Sequence, residues 1–241
     1  MRQLLSTLSL VALLQYSPNV AISWVRLAPK AMLQSSRFAN ALEQANTEQS
    51  SDPVAQVVAA KLMSNAPDGN FYPERFVSRA ELASIMVKAF RLDKRQAATK
   101  ENFKVTDVSP SNPAFKDVQI VLKTDIMKGY RGNLFFPNQR VTKAEALAIF
   151  AQAYGVFQFP DETVNEILAS YPDAASIPTW ARKALATAAS EGFVNTDEQG
   201  NLAPLQPMTR GDMAYVLSKY LHRQQPQPQT PEVPDARDRK S

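Results

Sequence analysis

A chain of 241 residues, 44% of them apolar, can bury a core but has room for only one domain of ordinary size or two small ones. Its formal charge of +4 comes from 27 Lys and Arg against 23 Asp and Glu. The cations are scattered rather than gathered into a stripe that could follow a phosphate backbone, so no nucleic-acid partner is expected. With no cysteine, disulfides, thiolate metal ligands, a thiol nucleophile and an acylated lipoprotein cysteine are all excluded.

Arg2 precedes an apolar run from Leu4 to Leu14, which is followed by a polar, turn-prone stretch from Gln15 to Asn19. The run is shorter than the roughly 20 apolar residues that span a bilayer. It has the layout of a secretory signal, with Ala21 and Ser23 at the two small-residue positions a signal peptidase reads. Residues 1–23 are therefore expected to be a signal peptide and the protein to be exported, touching a membrane only through an uncleaved signal segment. Residues 24–51 read as a linker or short helix, with Met32, Leu33, Phe38, Ala41 and Leu42 on one side.

From Asp52 to Leu221 the chain repeats itself. Gly69-Asn70-Phe71-Tyr72-Pro73, Gly132-Asn133-Leu134-Phe135-Phe136-Pro137 and Gly200-Asn201-Leu202-Ala203-Pro204 are each a Gly-Asn turn, two or three apolar or aromatic residues and a proline. Five residues after each proline stands a hydroxyl residue, Ser78, Thr142 or Thr209. It opens the tetrads Ser78-Arg79-Ala80-Glu81, Thr142-Lys143-Ala144-Glu145 and Thr209-Arg210-Gly211-Asp212. Behind each tetrad, apolar residues recur at matching helical positions, Ala83, Ile85, Met86 and Phe90 in the first unit, Leu147, Ile149, Phe150 and Tyr154 in the second, and Ala214, Val216, Leu217 and Leu221 in the third. From Ser78 to Thr142 the spacing is 64 residues and from Thr142 to Thr209 it is 67, which marks a triplicated unit.

Within each tetrad the hydroxyl-to-carboxylate spacing is that of a capping box. Ser78, Thr142 and Thr209 would accept from a free backbone N–H of the first turn, and Glu81, Glu145 and Asp212 would reach back to the cap, the shorter Asp212 least readily. Capping has no need of Arg79, Lys143 or Arg210, and a cation there opposes the helix dipole by roughly 0.3–1 kcal/mol. A cation placed there three times implies that it faces an anion, either a carboxylate of the protein or a ligand.

A second helix precedes each Gly-Asn turn. It is clearest from Pro113-Ala114-Phe115 to Gly129, with Phe115, Val118, Val121, Leu122 and Ile126 on its apolar side, and again from Thr179-Trp180-Ala181 to Gly192, with Leu185 and Ala188 inward. In the first unit Asp52-Pro53-Val54 stands for the helix start. Asp107 and Asp173 lie 35 and 36 residues before the caps Thr142 and Thr209. The unit is thus helix, turn, helix. From residue 223 to 241 the proline- and glutamine-rich sequence has no core-forming aromatic and is expected to be a disordered tail.

The aspartate behind an apolar or aromatic residue, the Trp-Ala helix start, the glycine turn, the Phe-x-Pro-type segment and the Thr-Arg-Ala-Glu box together resemble the S-layer homology family, over residues 52–221 and in three in-register copies. The resemblance divides the body into repeats at 52–102 (degenerate), 103–165 and 166–222. It implies an all-α fold in which the three helix-turn-helix repeats form a pseudo-threefold bundle with grooves between neighbours. It further implies non-covalent binding of a peptidoglycan-linked or secondary cell-wall polymer bearing acidic groups, and hence a wall-associated protein of the periplasm or cell envelope. On this resemblance Arg79, Lys143 and Arg210 would be anion contacts, Trp180 a sugar-stacking platform, and Gly129 and Gly192 places where backbone nears the ligand or turns. An alternative occupant of the grooves is a protein partner in an envelope or membrane assembly. The second repeat departs from the family pattern with Pro113 in place of the tryptophan and Lys143 in place of arginine.

No enzyme is expected. The single histidine, His222, borders the tail, so Ser-His-acid and zinc constellations lack parts. Asp107, Asp117 and Asp125 lie near one another in sequence, but solvated helix faces are the usual place of such carboxylates. No catalytic residue, metal or cofactor is assigned.

Overall fold

The computed structural model describes residues 52–224, so the signal peptide, the linker and the tail from residue 225 lie outside the described residues. The architecture is all-α. Helix α1 spans Pro53–Ala59, α2 Arg79–Phe90, α3 Phe115–Lys123, α4 Lys143–Tyr154, α5 Asp161–Leu168, α6 Arg182–Ser190 and α7 Arg210–Gln224. Arg223 and Gln224, which composition alone assigns to the tail, continue α7, and Arg223 is held by Glu191 at 3.3 Å.

The helix starts follow local chemistry. Asp52 caps α1 by accepting from the Val54 and Ala55 N–H groups at 3.0 and 3.3 Å, with Pro53 preset in the first turn. Thr142 and Glu145 close a full box, the Glu145 N–H reaching Thr142 Oγ1 at 3.2 Å and the Thr142 N–H reaching Glu145 Oε2 at 2.8 Å. Thr209 and Asp212 close theirs too, at 3.0 and 3.2 Å, so the shorter carboxylate suffices. In the first tetrad Ser78 accepts from the Glu81 N–H, while the Glu81 carboxylate turns instead to Arg210 and Arg75.

The upstream helices stop alike. Lys61, Asp125 and Gly192, each 17 residues before its cap residue, are left-handed with φ of 58°, 58° and 74°. The N–H groups that follow fold back on the helix: Leu62 and Met63 to the Val57 carbonyl, Ile126 and Met127 to that of Val121, Phe193 to that of Ala188. Helix α3 therefore ends several residues before Gly129.

The three repeats close a ring. The Val77 N–H donates to the Met208 carbonyl at 2.9 Å, the Met208 N–H to Val141 at 2.8 Å and the Val141 N–H to Val77 at 3.2 Å. Around this triangle the free N–H groups of each capped helix are met by the next repeat: Arg79 and Ala80 by the carbonyls of Gln139 and Pro137, Lys143 and Ala144 by Gln206 and Pro204, Arg210 and Gly211 by Arg75 and Pro73. The upstream helix of each repeat packs on the capped helix of the repeat before it, α3 on α2, α6 on α4, and α1 on α7 to complete the circle. Helix α5, which the repeat pattern does not announce, covers α6. Val77, Val141 and Met208 are buried at the axis with Leu82, Met86, Phe150, Met213 and Leu217, each burial of a large side chain being worth roughly 1.5–3 kcal/mol.

Candidate functional site: a groove between the second and third repeats

The fate of each tetrad cation follows from the ring. Each points into the next repeat. Arg210 is 4% exposed; its Nε donates to the Phe71 carbonyl at 2.9 Å, its Nη2 to the Ser64 carbonyl at 2.7 Å, and its Nη1 pairs with Glu81, the carboxylate of the first tetrad. Lys143 Nζ lies 3.3 Å from Asp212 Oδ1, the carboxylate of the third tetrad, with both side chains 13% exposed. Asp212 also accepts from Asn195 at 3.0 Å. Two of the three repeated cations thus face a protein carboxylate.

Arg79 differs. Its Nε and Nη2 donate to the Phe135 and Lys128 carbonyls at 2.8 Å each, and its guanidinium lies against the rings of Phe135 and Tyr130 at 4.7 and 4.9 Å. The carboxylate due to meet it is Glu145, but Glu145 closes its own box with Thr142, and among the described residues Arg79 has no ion pair. Burial pushes the Arg79 guanidinium below its ordinary range, while Tyr130, Glu145 and Asp107 pull in the other direction. Burial also lowers Arg210, with repulsion from Arg75 added.

At Arg79 a groove opens, with a volume of about 320 Å³. It is lined by Asp125, Ile126 and Lys128 of the second repeat, by Glu145, Ile149 and Gln152 of α4, and by Trp180 of the third repeat. Trp180 sits in a single 3-10 turn, Thr179–Ala181, that leads into α6, and it is 62% exposed, the most exposed of the large apolar side chains described. Its position is set by Ala181, which is fully buried, and by Arg182, which donates to the Ala174 carbonyl and to Asn165.

The equivalent space between the first and second repeats, about 360 Å³, uses the same helix positions: Glu81, Ser84, Ile85 and Lys88 stand where Glu145, Ala148, Ile149 and Gln152 stand in the other groove. Pro113 replaces the tryptophan there, and Ser84 donates to Asp117 at 2.6 Å on this surface. Of these two equivalent grooves, only the second-to-third one brings together an aromatic platform and a tetrad cation without a carboxylate partner.

The two aspartates have a structural task. Asp107 accepts from the Phe135 and Phe136 N–H groups at 2.8 and 2.6 Å, and Asp173 from those of Leu202 and Ala203 at 2.9 and 2.7 Å. Phe136 and Ala203 are left-handed at φ 55° and 49°, as is their counterpart Tyr72 at 54°, and the carboxylates hold this unfavourable backbone in place. Gly129 packs under the Leu134 carbonyl, which a Cβ would approach to 3.1 Å, and Gly192 turns the chain after α6 in open space. Asp125, Lys128 and Gln152, which line the groove, lie outside the sequence-level site; a second stripe along α4 at Glu145, Ile149 and Gln152 is the signal that locates Gln152, and no local pattern marks Asp125 or Lys128. No group of three or more His, Asp or Glu placed to hold a metal occurs among the described residues. None of the described helices is long and apolar enough to cross a membrane.

A family model described as the S-layer homology domain matches residues 45–83, 106–147 and 170–214. The Surface-layer 125 kDa protein of Lysinibacillus sphaericus is 30% identical over 171 residues, covering 70% of this chain and 14% of that protein. The Cellulosome-anchoring protein of Acetivibrio thermocellus is 23% identical over 167 residues, 68% of this chain and 36% of that one. The Amylopullulanase of Thermoanaerobacterium thermosulfurigenes is 26% identical over 166 residues, 68% of this chain and 8% of that enzyme. The chain spans only a minor part of the length of these relatives.

Proposed function

The chain belongs to the S-layer homology family, and from that premise we propose that its repeats hold an acidic cell-wall glycan, a secondary polymer or one linked to peptidoglycan, in the groove between the second and third repeats. The repeats are a non-catalytic module of cell-surface anchoring, and the protein is an exported one that stays with the wall. The observation that carries the choice of groove is the pairing of Trp180, 62% exposed, with Arg79, whose Nη1 makes no hydrogen bond among the described residues. An indole face stacks on the apolar face of a pyranose ring, and a guanidinium in a partly desolvated wall attracts an acidic substituent more strongly than an exposed one would. Lys143 and Arg210, already paired with Asp212 and Glu81, serve the ring rather than the ligand.

Cosedimentation of the purified protein with cell-wall sacculi tests this reading. Trp180→Ala removes an exposed side chain, so its melting should match wild type while its retention on sacculi falls about tenfold, the loss that one well-packed aromatic contact produces. Retention equal to wild type would sink the groove assignment and shift the weight to a protein partner in the envelope.

A further inference from the structure

The groove at Trp180 has a neighbour across the segment from Asp125 to Lys128. A second cavity, of about 280 Å³, opens beyond the segment from Asp125 to Lys128, and Asp125 and Lys128 line both. Phe103, Lys104 and Tyr130 are among the residues that line it.

Three features set this cavity apart from ordinary surface relief. Phe103 is 51% exposed, yet its backbone is pinned by Gln119, itself 3% exposed, which accepts from the Phe103 N–H at 2.8 Å and donates to the Phe103 carbonyl at 3.0 Å. A buried amide fully engaged with the backbone of an exposed aromatic fixes the base of that ring before any ligand arrives, which lowers the ordering cost of binding. Tyr130, 43% exposed, lies with its ring 4.9 Å from the Arg79 guanidinium, so the cation of the first cavity is stacked on an aromatic wall of the second. Lys104 is exposed and has no ion pair among the described residues, while Lys128 makes only a loose contact of 3.9 Å with Asp125.

We infer that this cavity is an outer subsite for the same acidic glycan, so that the protein binds along a stretch of polymer, with one unit at Trp180 and Arg79 and a further unit at Phe103, Lys104 and Tyr130. The inference rests on the glycan reading above. Each cavity alone is near the lower limit of small-ligand sites, roughly 300–1,000 Å³, and the two in series lie well inside it. The mix of exposed rings and cations suits a ligand with apolar ring faces and acidic substituents, and a purely apolar occupant would leave Lys104 and Lys128 unused.

The test uses wall polymer released from sacculi by acid and size-fractionated into long chains and the shortest fragments that still bind the full-length protein. Phe103→Ala keeps the backbone contacts to Gln119, and thermal melting checks its fold. The expected result is a loss of about tenfold in affinity for the long chains, with unchanged affinity for the shortest fragments, while Trp180→Ala weakens both. Phe103→Ala indistinguishable from wild type on both fractions, with Trp180→Ala weakened on both, would overturn the outer subsite and leave the groove standing. An equal loss on both fractions would also overturn it, since Phe103 would then belong to a single site. Wild-type binding by both variants would remove the groove and the subsite together.

Discussion

Arg210 carries more of the fold than its place on a helix surface announces. Its guanidinium satisfies two carbonyls and one carboxylate of the first repeat from a side chain 4% exposed, and it lies 4.4 Å from the Phe71 ring. Arg210→Ala would leave the Phe71 and Ser64 carbonyls without a donor and Glu81 with only the more exposed Arg75, 3.6 Å away. Removing one partner of a buried pair costs more than the pair itself contributes, and a loss of about 3 kcal/mol in unfolding free energy is expected from urea denaturation. An unchanged midpoint would contradict this account. The repeated cation was visible in the sequence as an oddity, a positive charge at a helix start, and physics offered a protein carboxylate or a ligand as its partner. What decides between them at each position lies more than a hundred residues away for Arg210 and sixty-nine away for Lys143, so no local pattern could reveal it.

At the scale of elements, the capped helices and their apolar faces were legible because capping chemistry and helical period are local. Ala83, Met86, Phe150, Ala214 and Leu217 are all fully buried, as the matching positions behind the tetrads require. Helix α5 and the early end of α3 were not, since neither recurs across the repeats and both depend on what packs over them. Where α2, α4 and α7 converge, Phe90, Phe150, Tyr154, Phe193 and Tyr220 form an aromatic cluster. Burial raises the Tyr154 hydroxyl above its ordinary 10.0, aided by its bond to Glu191 and opposed by Arg223, and burial raises Tyr220 against Arg91. A folded value above the unfolded one contributes stability that is complete below pH 10.0 and is lost as pH climbs through the folded values. Alkaline titration by tyrosinate absorbance should therefore show a late class of tyrosines that ionises together with loss of the helical signal. Ionisation of every tyrosine before any helix is lost would contradict the cluster's role.

For the whole molecule, the triplication was readable from the in-register copies and the bundle only through the family resemblance they carry, but the sequence repeat is not the packing unit. Each upstream helix belongs to the capped helix of the repeat before it, and each box cation to the repeat after it, so the three copies interlock in a closed ring. That interlocking is also why the two described grooves are unequal: Pro113 stands where the other groove has Trp180, and Glu145 closes its own box where Glu81 reaches across to Arg210, so only the second-to-third groove of the two has both a platform and an unpaired tetrad cation. We propose that this groove reads an acidic wall polymer. The direct measurement is cosedimentation of the wild-type protein with sacculi before and after acid extraction of that polymer. Retention on intact sacculi that disappears on extraction is the predicted result, and equal retention on intact and extracted sacculi would contradict it.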